Sequence, residues 1–335
     1  MIHQPNFGTR ILGTGSAVPE GVITNADFEK ILDTSDEWIT QRTGIRKRHR
    51  CNHELGENNL ALCTRSIQQA LDEADLEGAD LDLLIVATVT GAMTCPSTAC
   101  KVAYNIGMKN SGAFDILAAC SGFVYALNLG ASLINSGQYK TIGVVGCDTL
   151  TDIADYTSRN VSILLGDAAG AVVIQRTEDD PSVGCLHQII GADGSHWDDL
   201  YIPRKEADVP DNADWNEVRL DHLQMNGREV YKFAIVKFQK LVKTVLDENN
   251  LAVDDLKMLI PHQSNLRIIE STKERLKLPD DKVYINIDEY GNASSGSTAL
   301  CFDRARKENK IGPGDMVLIV AFGGGLTWAS SLWKL

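Results

Sequence analysis

Residues 70–85 read ALDEADLEGADLDLLI, and residues 245–260 read VLDENNLAVDDLKMLI. Aligned without gaps, Leu, Asp, Glu, Leu, Asp, Leu, Leu and Ile coincide, 8 of 16 positions. Each copy predicts the end of an amphipathic helix, a polar turn and an apolar strand. Beyond each copy the chain runs a similar distance to a Gly/Ser-containing element, AACSGF in the first case and YGNASSGS in the second. A duplicated α/β unit accounts for this, and the period is far too long for a solenoid.

Further strands are expected in TRILGTGSAVP, KTIGVVGCD, GAVVIQR, KVYINI and DMVLIVAFGGG. Several are continuous Val/Ile runs, the pattern of strands covered by helices on both faces. Helices are expected over 60–75, 121–136, 228–249 and 264–276. The alternation, duplicated, predicts an α/β fold of five layers, α/β/α/β/α, in two similar halves. The halves are drawn at 1–178 and 179–335, since RTEDDPSVG near the middle is polar and breaker-rich. Residues 196–221 read as a long surface excursion.

The 335 residues carry a formal charge of −13, which argues against nucleic acid or an anionic membrane as the main partner. No apolar run approaches the roughly 18–20 residues that span a bilayer. The N-terminal residues lack a signal-type pattern, so a cytoplasmic location is expected. Eight scattered cysteines without a Cys-x-x-Cys pair predict reduced thiols and no zinc site.

Cys120 sits where an apolar strand gives way to a helix. There, unpaired backbone N–H groups and the helix dipole are expected to lower its pKa and to hold an oxyanion. His262 ends an apolar strand in LIPHQSNLRIIE, and Asn292 lies in the second-half counterpart of the Cys120 turn. An Asn amide can donate to a carbonyl oxygen that becomes an enolate, while a strand-end His is as readily a structural hydrogen-bonding residue. Thiol, imidazole and amide suit acyl transfer with carbanion chemistry, and they suit hydrolysis as well. The glycines of AFGGGLTWAS mark a close approach of backbone to substrate.

Taken together, TSDEWITQRTGIRKRH, PSTACKVAYNIG, FDILAACSGFVYAL, LLGDAAGAVVI, MNGREVYKFA, PHQSNLRIIE, YGNASSGSTA and AFGGGLTWAS closely resemble β-ketoacyl-acyl carrier protein synthase III. The resemblance implies a thiolase-like fold and a homodimer. It implies condensation of acetyl-CoA with malonyl-acyl carrier protein, giving a 3-oxoacyl-acyl carrier protein, CoA and carbon dioxide, with no metal or redox cofactor. It makes Cys120 the acylated nucleophile, His262 and Asn292 the enolate donors, and the N–H groups of Cys120 and Gly324 the oxyanion hole. Thr34, Trp38, Arg42, Arg159 and Asn265 would line the CoA tunnel, with the adenine between Trp38 and Arg159. Gln263, Ser264, Asn265, Leu266 and Arg267 would meet the acyl carrier protein, aided by the charge of Lys273, Arg275 and Lys277. Cys95 stands where the family often has a larger residue near the acyl pocket, so a longer or branched primer is an open alternative. So is a paralogue that primes polyketide or other secondary metabolism.

Overall fold

The computed structural model describes residues 7–177, 183–211, 213–215 and 218–335; the boundary drawn at 178/179 lies outside them. The strands, in chain order, are β1 (Gly8–Ala17), β2 (Gly21–Thr24), β3 (Lys47–Arg50), β4 (Leu83–Ala87), β5 (Gly112–Ile116), β6 (Thr141–Thr149) and β7 (Asp167–Thr177). They are followed by β8 (Gly184–Ala192), β9 (Leu200–Tyr201), β10 (Gln224–Met225), β11 (Met258–Pro261), β12 (Met316–Gly323) and β13 (Thr327–Lys334). The helices of the first part are α1 (Asn25–Glu29), α2 (Asp36–Thr43), α3 (Asn59–Ala74), α4 (Thr98–Asn105) and α5 (Gly122–Asn135). Those of the second are α6 (Gly227–Glu248), α7 (Leu266–Leu276), α8 (Ile287–Tyr290) and α9 (Ser295–Lys307).

The echo in the sequence is an echo in hydrogen bonds, 175 positions apart. α3 is capped by left-handed Asp75 (φ 54°), and α6 is followed, one residue past its cap, by left-handed Asn250 (φ 55°), residue types that tolerate this region. Leu76 N–H then donates to Leu71 O, and Leu251 N–H to Leu246 O. One turn later Glu77 N–H donates to the Asp80 carboxylate, and Ala252 N–H to that of Asp255. The strands that follow keep the same offset: Leu83 pairs Ile142, and Met258 pairs Val317, both in parallel ladders.

Two large sheets result, ordered β1-β7-β6-β4-β5 and β11-β12-β13-β8, beside the two-stranded pairs β2-β3 and β9-β10. α5 and α9 lie between them, and their side chains join both sheets in one core that includes Phe123, Phe302 and Trp333. Each such ring, fully buried, contributes about 1.5–3 kcal/mol. α3 and α4 cover the outer face of the first sheet, and α6 and α7 that of the second. The five expected layers are present, and the four expected helices lie within two residues of their expected ends.

KVYINI differs from expectation. Only Val283 bridges to β11, opposite Leu259, so the second sheet lacks a full counterpart of β5. The reason is a side chain that takes the place of a ladder. Gln263 Nε2 donates to Tyr284 O at 3.2 Å, and Asn286 N–H donates to Gln263 Oε1 at 3.2 Å. Backbone groups that a neighbouring strand would have satisfied are satisfied locally.

Candidate active site

The duplicated turns that follow β5 and α8 build the centre of the site. Ala119 (φ 46°) precedes Cys120, and Ser294 (φ 48°), its counterpart 175 positions on, precedes Ser295. A left-handed non-glycine residue is strained, and its recurrence in both halves marks the turn as a feature of the fold. In the first half the turn carries the thiol. In the second it carries the Ser294–Ser295 pair, with Asn292 two residues before.

A cavity of ≈ 670 Å³ runs to this point. Cys120, His262 and Asn292 all line it, with Ser294, Phe322 and the glycines 323–325. His262 follows β11, its N–H bonded to Val320 O at 2.8 Å, and its ring meets Phe322 edge-on at 5.5 Å. Burial holds its imidazole neutral, with a pKa down at about 3. Asn292 Oδ1 accepts from Ser294 N–H at 2.9 Å, which commits the oxygen and leaves the amide hydrogens as the free donor.

The thiol departs from expectation. Burial pushes the Cys120 pKa up to about 12, and the nearby Asp148 carboxylate adds to the rise. The Ser294 hydroxyl and the Cys120 N–H pull the other way and are outweighed. Desolvation of a thiolate exceeds what a few donors at a helix start return. Cys120 therefore rests as a neutral thiol.

Asp148, at the end of β6, holds the walls together and was not legible as a site residue. One carboxylate oxygen accepts from Val89 N–H at 2.7 Å and Thr90 N–H at 3.2 Å. The other accepts from Ser295 N–H at 3.2 Å and its hydroxyl at 2.9 Å. The glycine segment is pinned in the same way. Thr327 Oγ1 lies 2.7 Å from Ser121 Oγ and donates within reach of Gly324 O and Ala118 O. Gly324 lines the cavity, and a Cβ built on it would lie 3.6 Å from Ala119 Cβ.

The expected CoA residues divide into two groups. Asn265 lines the cavity, and its Oδ1 caps α7 by accepting from Arg267 N–H at 2.9 Å. Trp38, Arg42 and Arg159 cluster outside that lining, with the two guanidinium carbons 5.2 and 5.0 Å from the indole centroid. A base sandwiched between Trp38 and Arg159 needs about 7 Å, two contact separations of about 3.5 Å. Arg159 instead rests on the indole and donates to Asp33 O. Thr34 Oγ1 is buried without a hydrogen-bond partner.

The expected carrier segment is corrected at two points. Gln263 is buried, spent on the backbone contacts described above and on Pro261 O at 2.8 Å, so it offers nothing to a partner's surface. Lys273 is also buried and paired with Glu270 and Asp280, both at 2.8 Å, so it adds no free charge. Arg267 is exposed, its guanidinium 5.5 Å from the Tyr231 ring, and Arg275 and Lys277 are exposed too. Ser264 lines the cavity. Leu266 packs on Gly44, the left-handed end of α2 (φ 80°), where a Cβ would come within 2.5 Å of it. That contact locks the Trp38 helix to the start of α7. The 196–221 segment is more than a surface excursion, since Leu200, Tyr201, Ile202 and Arg204 form part of the cavity wall.

The chain matches the family descriptions 3-oxoacyl-[acyl-carrier-protein (ACP)] synthase III over residues 114–194 and its C-terminal domain over residues 246–335. It is 46% identical to the β-ketoacyl-[acyl-carrier-protein] synthase III of Caldanaerobacter subterraneus subsp. tengcongensis, covering 97% of both chains. The solved 3-oxoacyl-[acyl-carrier-protein] synthase III of Aquifex aeolicus VF5 is 40% identical with a TM-score of 0.90, over 98% of this chain and all of that one. The priming β-ketosynthase of the R1128 polyketide pathway is 30% identical with a TM-score of 0.89, over 100% of this chain and 98% of that one. With full-length relatives at this identity and the thiol, imidazole and amide on one cavity, the chain belongs to the β-ketoacyl-acyl carrier protein synthase III family.

Proposed function

We infer that this protein condenses a short acyl-CoA, acetyl-CoA first, with malonyl-acyl carrier protein and so starts fatty acid chain elongation. The observation that carries the reading is the convergence of Cys120, His262 and Asn292 on one cavity in a chain of this family. Two half-reactions follow. Cys120 sulfur attacks the thioester carbonyl, with the Cys120 and Gly324 N–H groups holding the oxyanion. The C–S bond to CoA breaks, and the proton of the neutral thiol leaves with the CoA sulfur, so acylation is proton-neutral.

The malonyl thioester then enters with its carbonyl oxygen between His262 and the Asn292 amide. The bond to the carboxylate breaks, its electron pair becomes the enolate, and carbon dioxide departs. The enolate carbon attacks the acyl-cysteine, and the Cys120 thiolate leaves and takes a proton from solvent. Its high pKa favours that capture. Decarboxylation supplies the carbon nucleophile, so the scheme calls for no resident cofactor.

Arg267, Arg275 and Lys277 form the basic side proposed to receive the acidic carrier, and Trp38 with Arg159 the proposed adenine clamp. The clamp requires Arg159 to swing off the indole by about 2 Å, a small motion for an exposed side chain. We also propose a homodimer. β5 is an edge strand, and Met93, Tyr104, Phe114 and Leu117 stand exposed around it. An edge with an apolar surround asks for a partner strand. Exposed thiols at Cys95 and Cys100 suit a reducing cytoplasm.

A panel of acyl-CoA primers with malonyl-acyl carrier protein tests the reading. Acetyl transfer to Cys120 followed by 3-oxoacyl product is expected. Free acid released without a malonyl partner would make the protein a thioesterase. Strong preference for long or aromatic primers over acetyl would favour the polyketide-priming role.

A further inference from the structure

His262 is the one histidine on the cavity among the described residues, and its far ring nitrogen is not free. His262 Nδ1 lies 2.7 Å from Ser297 Oγ. The same hydroxyl oxygen lies 2.9 Å from Ser294 O, and Gln263 N–H donates to it at 3.4 Å. A hydroxyl has one proton to give. If it goes to Ser294 O, His262 must carry its proton on Nδ1, and Nε2 becomes a bare lone pair. If it goes to Nδ1, Nε2 carries the proton.

Two features favour the second arrangement. Ser294 O already accepts from Ser297 N–H at 3.1 Å, so turning the hydroxyl away orphans nothing. A thioester carbonyl is an acceptor, so only a protonated Nε2 can hold it.

The duplication adds an independent observation. The counterparts of His262 and Ser297, 175 positions earlier, are Ala87 and Gly122. These positions face each other as well: a Cβ built on Gly122 would lie 3.1 Å from Ala87 Cβ. The fold thus brings the same two positions together twice, and only the half that bears the imidazole bears a hydroxyl opposite it. Ser297 is buried on the first turn of α9 and does not line the cavity.

We propose that Ser297 is a positioning residue: its hydroxyl donates to His262 Nδ1 and keeps the Nε2 proton aimed at the malonyl thioester carbonyl. The proposal rests on the reading of His262 as a carbonyl donor. Nitrogen-15 spectra of the histidine rings in the full-length protein should show His262 with its proton on Nε2. In Ser297→Ala that preference should fall, and malonyl decarboxylation with it, by about fivefold to tenfold, the worth of one buried hydrogen bond. Acetyl transfer to Cys120 should stay within about twofold, and Ser297→Thr should restore decarboxylation. A proton on Nδ1 in the unsubstituted protein overturns the proposal even if Ser297→Ala fails to fold. So does a Ser297→Ala protein with unchanged ring signals and rate. Full decarboxylation by His262→Ala would instead refute the role of His262, whatever its tautomer.

Discussion

Gly323 ends β12 directly against the nucleophile turn, and replacing it by alanine is a sharp test of how tightly that turn is held. A Cβ at this position would lie 2.6 Å from Cys120 N, 3.1 Å from Ser121 N and 3.2 Å from Cys120 Cα. Ordinary contact begins near 3.4 Å, so the closest approach is about 0.8 Å short, and every atom it meets is backbone. Neither side yields by rotating a side chain. Thr327 ties the glycine segment to Ser121, so the displacement passes into the Cys120 N–H and sulfur. Misplacing reacting atoms by about 1 Å costs up to about 100-fold, and overpacking costs about 1–3 kcal/mol of stability. Gly323→Ala should therefore slow single-turnover acetyl transfer to Cys120, read as the mass increase of the protein, by about 10- to 100-fold. Gly312→Ala is the control, because nothing lies within 4 Å of its Cβ. Wild-type acylation and melting temperature in Gly323→Ala would refute the claim that this contact positions the nucleophile.

A thiol with a pKa near 12 is overwhelmingly protonated at neutral pH. Iodoacetamide labelling of Cys120 should climb about tenfold per pH unit from 7 to 10. A plateau in the Cys120 rate below pH 9, followed by peptide mass spectrometry, would mean an activated thiolate instead. Trp38→Ala should raise KM for the acyl-CoA by about tenfold with less change in kcat, the scale of a lost cation–π and stacking surface. Steady-state kinetics with an unchanged KM would remove Trp38 from the adenine site.

The halves were legible because duplication repeats local chemistry. The same Leu-Asp-Glu helix end and Asp-Leu turn appear twice, and each makes the same capping bonds. Helix positions were legible from periodicity. The lost fifth strand was not, because KVYINI has a strand's pattern and the side chain that replaces its ladder, Gln263, lies some twenty residues away. Cys120 was identified by its turn, while its ionisation was not, since a local dipole competes with a burial set by distant walls. Asp148 and Ser297 act through contacts with segments far away in the sequence. Nothing in GCDT or SSGST distinguishes them from ordinary strand-end and helix-start residues.

That missing strand has a consequence for growth by strand addition. Were the second sheet to continue into a full strand beyond β11, each copy would offer a second strand of the kind that β5 offers, and copies could add through either. Here the first sheet ends in β5, and beyond β11 only Val283 bridges before the chain turns into α8. The proposed dimer would pair β5 with the same edge of a second copy, a self-complementary contact that closes on itself. Loss of regularity in one half removes the counterpart of β5 as a competing edge, so the two halves, though duplicated, are not interchangeable in that pairing.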